Sequence, residues 1–315
     1  LGRGSISIAG NFALGQKLEA LLGLGDLDGL AQAAEETWRE FDSSTLRAIP
    51  NLRFERRGLK NNVDMTIALL RGRFDEVERI ITEAETERAA FSGALSSFAF
   101  TVEFGRTQLA YFRGDWVGAA EGWANTKAIA PGALDVYFGF TGIGCSLVEL
   151  REYVDAWFRI DAVSPDVTKA SNVAVVAEAL RRLGDADVAA AYGERFTAHA
   201  GFFVTNTVLY CHGPYDTALG ILFGTAGQVD RAVSYLEDAV ARCDSIGSPS
   251  YGVIAQLELA TALRVRGARG DLDRSAALTA EVLRTATELG MHGWARRAER
   301  LSAGDLEPWR IEADT

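Results

Sequence analysis

The chain has 315 residues, 48% of them hydrophobic and 24% charged, with a formal net charge of −11. This is the balance of a folded protein, long enough for two ordinary domains or one elongated array. Its Lys and Arg form no dense run of the kind that neutralises phosphates, and no apolar run nears the ~20 residues of a membrane span, so neither nucleic acid nor membrane is an expected partner.

In chain order, Leu1 to Asn11 are ambiguous. A start at Leu1 without a secretory leader reads as a piece of a longer polypeptide. Hinges then recur about every forty residues, at Gly25, Gly72, Gly114, Glu152, Gly184, Gly227 and Gly270. Glu152 is placed by its flanks rather than by a glycine. Two and five positions after the hinges stand mostly apolar or small residues, among them Phe74, Trp116, Val154, Trp157, Val229 and Ala232. Steps of three keep to one side of a helix, so each post-hinge helix buries that side.

The pre-hinge helices follow the same rule. Four before the hinge stand Leu21, Ala68, Ala110, Val148, Leu180, Phe223 and, counted from Gly267 in the last unit, Leu263. Asp follows Gly25, Gly114, Gly184 and Gly270, where it is expected to cap the next helix. Five of the six prolines fall between hairpins. Tyr137 to Val148 reads as a buried helix, and no stretch alternates as a strand should. The predicted fold is all-α: an α–α superhelix, a solenoid of about seven helical hairpins over residues 1–301. Residues 302–315 are a tail or a linker to a missing domain. Cys145, Cys211 and Cys243 are too widely spaced for a disulfide framework and fit cytoplasmic free thiols.

Candidate chemistry is sparse. Gly23-x-Gly25-x-x-x-Gly29 follows no strand and reads as a turn, and Gly139-x-x-Gly142-x-Gly144 as helix packing rather than a phosphate cradle. His199, His212 and His292 stand far apart, so no metal is expected. Cys211 and His212 are adjacent, which points helical side chains about 100° apart rather than together; the pair, ahead of Gly213-Pro214, reads as helix-entry structure. No catalytic set and no cofactor is expected. Of the six tryptophans, which could form an aromatic cage, Trp116 and Trp157 fall on the buried stripe and read as core.

A further row lies six before each hinge and, three residues on, three before it. It faces away from the hairpin core, and in a curved stack it lines the concave groove. It holds Thr66, Gln108, Tyr111, Ser146, Glu149, Glu178 and Arg181. Such a mixed polar, aromatic and charged surface suits a protein segment or small effector. On this reading Glu178 is a surface residue whose removal alters stability by under ~0.5 kcal/mol.

Leu219-Gly220-x-x-Phe223-x-x-x-Gly227-x-Val229-x-x-Ala232 resembles the tetratricopeptide repeat pattern, and Pro131 sits where that pattern has its proline. The other units depart from it in length and lack the leading Trp. More narrowly, residues 68–81, 210–251 and 266–291 are similar to the C-terminal repeat region of bacterial STAND-type regulators, which include ATPase–cyclase fusions and LuxR-type activators. The resemblance implies a non-enzymatic cytoplasmic sensing or scaffolding arm beside ATPase and output domains. No GxxxxGK[ST] loop or basic recognition helix occurs in this chain. An enzyme domain with an inter-helix pocket and a self-associating structural module are the alternatives.

Overall fold

The computed structural model describes residues 8–44, 48, 50–90, 96–129, 146–163, 172–206 and 210–307. Among these the fold is all-α, with one short pair of strands. Its helices are α1 (Ile8–Leu24), α2 (Leu27–Asp42), α3 (Pro50–Leu70), α4 (Phe74–Ala90), α5 (Ser96–Arg113), α6 (Trp116–Ile129) and α7 (Leu147–Val163). They continue as α8 (Val173–Leu183), α9 (Ala186–Phe196), α10 (Tyr215–Thr225), α11 (Val229–Ser245), α12 (Pro249–Arg266), α13 (Asp271–Leu289) and α14 (His292–Ser302). Strands β1 (Phe203–Asn206) and β2 (Tyr210–Pro214) lie between α9 and α10. None of these helices is long and apolar enough to cross a membrane.

One local rule builds the hairpins. Gly25, Gly72, Gly114, Gly184 and Gly227 all take positive φ at the end of the first helix, where an L side chain would be strained. The residue after each donates its N–H back to the carbonyl four before the hinge: Asp26 to Leu21, Arg73 to Ala68, Asp115 to Ala110, Asp185 to Leu180 and Gln228 to Phe223. This bond closes the last helical turn and turns the chain into the second helix. Much of the post-hinge stripe is buried as the spacing predicts, with Phe74, Val77, Ala119, Ala189 and Ala232 in the core, but Leu272 is 60% exposed. Val154 and Trp157 are buried too, without a hinge before them.

Four expectations are corrected. Glu152 is no hinge; it lies inside α7, and Val148 is 71% exposed rather than buried. Without a glycine, nothing at that position relieves the strain of a tight turn. Of the four hinge aspartates, Asp26 and Asp115 cap through Gly29 N–H and Gly118 N–H at 2.9 Å. Asp185 instead pairs with Arg151 at 2.6 Å, and Asp271 grips Arg266 through two 2.7 Å bonds. Residues 210–214 form a strand, so Cys211 and His212 do not begin a helix. The strand pair is antiparallel, with Phe203 opposite Pro214 and Asn206 opposite Tyr210. Its aromatic and β-branched residues bury against the helices: Phe203, Val204, Tyr210 and Cys211 are 4% exposed or less. Finally, α14 is an additional helix beyond the seventh hairpin. The tail beyond Glu307, Gly139 to Gly144, Pro131, Cys145 and most of Tyr137 to Val148 lie outside the described residues.

The C-terminal helices pack against the first three hairpins. One hydrophobic core joins Leu18, Leu22, Met65, Leu69 and Phe112 of the first three hairpins to Cys243, Tyr251, Ile254, Trp294 and Leu301. A second core spans Leu150 to Ala232. The contact surface is the row of hinges: Gly25 abuts Phe203 and Ile246, Gly72 abuts Leu289, and Gly114 meets the backbone of Gly293. Carbonyls near a helix end can accept further donors, and the C-terminal arm supplies them. Ser250 Oγ donates to Leu69 O at 2.6 Å and Leu70 O at 3.0 Å, and Trp294 Nε1 donates to Tyr111 O at 3.0 Å.

Candidate functional site

At the centre of this closure, α5, α8, α12 and α14 converge. Tyr111 comes from the last turn of α5, because it stands three before the Gly114 hinge. Arg181 stands three before Gly184 and occupies the equivalent place on α8. Its guanidinium donates to Glu258 Oε2 of α12 at 2.6 Å and to Glu178 Oε2, one turn earlier on α8, at 2.5 Å. The Arg181 side chain is only 7% exposed, against 10% for Glu258 and 30% for Glu178. Burial alone would lower the Arg181 pKa, but the two carboxylates outweigh it and hold it above the ordinary value.

The other wall is aromatic. The Arg297 guanidinium of α14 lies 4.2 Å from the Trp116 ring centroid and 4.6 Å from that of Trp294. Tyr111 packs edge-on to Trp294 at 5.4 Å and to Trp116 at 6.1 Å. Burial pushes the Arg297 pKa down to about 10, opposed by Tyr111 and the carboxylates of Glu178 and Glu258. The Tyr111 phenol is pushed well up, first by burial and then by Glu178. Two cations, two carboxylates and three aromatic rings thus share one water-poor space, where charges interact more strongly than at the surface. Trp116 and Trp294 do form an aromatic cage, and it encloses a guanidinium of the chain itself.

Tyr111, Glu178 and Arg181 act on one another electrostatically, but Arg181 is buried between carboxylates rather than presented to an open groove. Thr66 and Gln108 are each 4% exposed, buried rather than displayed on an open groove. The amide nitrogen of Gln108 has no hydrogen-bond partner among the described residues. Ser146 and Glu149 lie elsewhere, because their placement depended on a hinge at Glu152. They cap α7 instead: Glu149 Oε2 accepts from Ser146 N–H at 2.8 Å, and Ser146 Oγ accepts from Glu149 N–H at 3.3 Å. Glu178 is no lone surface charge either, since it neutralises a buried arginine.

Glu258, Trp294 and Arg297 were missed by the groove row. Met291, Trp294, Ala295, Ala298 and Leu301 form the apolar stripe of the last helix, and Arg297 falls inside that stripe. A charge within an apolar stripe is the legible sign of a buried cation. Cys211 and His212 give the opposite result. Burial pushes the thiol up to about 12 and the imidazole down to about 4, so neither is in the state that an activated thiolate–imidazolium pair needs. No metal-binding cluster of His, Cys, Asp or Glu occurs among the described residues. Compared with known protein families and with curated proteins, the chain matches neither a family model nor a relative.

Proposed function

We propose that this chain is a non-enzymatic interaction and sensing module that takes up a protein segment at the Tyr111–Glu178–Arg181 centre. Its resemblance to the repeat regions of STAND-type regulators suggests a cytoplasmic arm of a larger bacterial signalling or transcriptional regulator. The observation that carries this reading is the occupant of the centre. A short amphipathic helix, α14, lies there with Trp294 against Tyr111 of α5 and Arg297 on Trp116, in the field of Glu178 and Glu258. Helix-in-groove recognition uses such anchors spaced at i and i+3. The chain's own helix thereby illustrates the kind of segment that the groove accepts.

A labelled peptide of residues 292–302 tests the reading. Wild type should not bind it, because the groove is occupied. A Trp294→Ala variant that keeps its native circular dichroism should bind it saturably in fluorescence anisotropy, and a peptide with Trp and Arg exchanged for Ala should not compete. Adding Glu178→Gln should weaken binding several-fold by removing one partner of the cationic cluster. No binding by the folded Trp294→Ala variant would remove the groove as a docking site.

A further inference from the structure

A second concave site lies away from the groove, at the corner where β2 runs into α10. It is a hollow of about 530 Å³ between the Gly201 turn, the first turn of α10 and one face of α11. Asp216 of α10 and Asp238, Arg242 and Ser245 of α11 line it. The α11 residues share a face because they are spaced by three and four.

Two carboxylates face a single guanidinium in this hollow. Asp216 is 2% exposed, and its carboxylate accepts the Gly201 N–H at 2.9 Å. Burial raises its pKa above the ordinary carboxylate value against the backbone hydrogen bonds that lower it, with Asp238 adding to the rise. The Arg242 guanidinium lines the same space and opposes the rise in the Asp216 pKa from there. Its Nη2 lies 3.1 Å from where a Cβ would stand at Gly201, whose φ is +86°, so any side chain there would crowd the head group. Ala200 and Ala241 supply small apolar wall. The volume is within the usual range of small-ligand sites. Two carboxylates and one guanidinium are complemented by a ligand with one carboxylate and two amines.

We infer that this hollow is a binding site for a basic α-amino acid. Its carboxylate would sit on Arg242 in a paired, planar contact, and its ammonium groups on Asp216 and Asp238. A buried carboxylate gains most from such a cation, because an uncompensated charge is costly away from water. The site is independent of the groove and of the reading given to it.

The test is isothermal titration calorimetry with L-lysine, and with cadaverine as the probe that keeps both amines and lacks the carboxylate. L-lysine should bind with a Kd of about 1 mM or tighter, and cadaverine at least about tenfold more weakly. Arg242→Ala should abolish the preference for lysine over cadaverine. Asp238→Asn should weaken both probes. Arg242 and Asp238 lie on the accessible face of α11, so both variants should keep native circular dichroism. Undetectable lysine binding at about ten times that Kd, equal binding of the two probes by wild type, or lysine binding unaltered in both variants would each overturn the assignment.

Discussion

Arg181 shows how one side chain changes meaning when its neighbours are known. As a residue on an outward helical face it is a solvated charge of little weight for stability. In the folded chain it joins α8 to α12 through Glu258 and is 7% exposed. Breaking a buried pair leaves the remaining charges uncompensated, which costs more than the pair contributes. Arg181→Ala leaves Glu178 and Glu258 without their cation and should destabilise by about 3–5 kcal/mol. Glu178→Ala removes a partner that is 30% exposed and leaves the Glu258 bond intact, so its cost should be smaller, about 1–2 kcal/mol. Urea denaturation of both variants measures the order. Costs below about 0.5 kcal/mol for both would mean that the cluster behaves as surface charge.

The hairpin is the element, and its hinge glycines are not equivalent. Gly114 and Gly184 have nearly the same φ, +69° and +66°. A Cβ on Gly184 would meet nothing within 4 Å, whereas one on Gly114 would overlap the backbone of Gly293. Gly184→Ala should therefore cost only the left-handed strain, about 1–2 kcal/mol. Gly114→Ala should add about 1–3 kcal/mol for the forced separation of α5 from α14. Thermal or urea unfolding of the two variants compares them directly. Equal costs would mean that the two backbones are not in contact. The same distinction explains Glu152: the apolar flanks of a hinge were present there without the residue that permits the turn.

For the whole molecule, the joined core departs from a simple stacked array. In a nearest-neighbour solenoid, damage at the end spreads first to the adjacent repeat. Here α14 packs on α5, and the Trp294 side chain bonds Tyr111 across 183 positions. Trp294→Ala should therefore lower amide-exchange protection in α5 more than in α11, although α11 is nearer in sequence. Hydrogen exchange read by mass spectrometry gives the comparison. Greater loss in α11 would indicate ordinary propagation along the stack.

The hinge glycines and most of the apolar stripe on the second helices were legible in the sequence. Each depends on chain neighbours: a backbone conformation that glycine adopts without strain, and a period set by the helix itself. These local rules also put Tyr111, Glu178 and Arg181 on related faces. Only the tertiary structure decided what those faces meet. The curvature of the stack is summed from small rotations at every hairpin, and no single spacing encodes it. The packing returns Trp294 and Arg297 to Tyr111 and Trp116 and sets Glu258 on Arg181, filling the row that an open superhelix would present to solvent. It also lets β1 and β2 form, because their aromatic and β-branched side chains are buried against helices that arrive from distant parts of the chain.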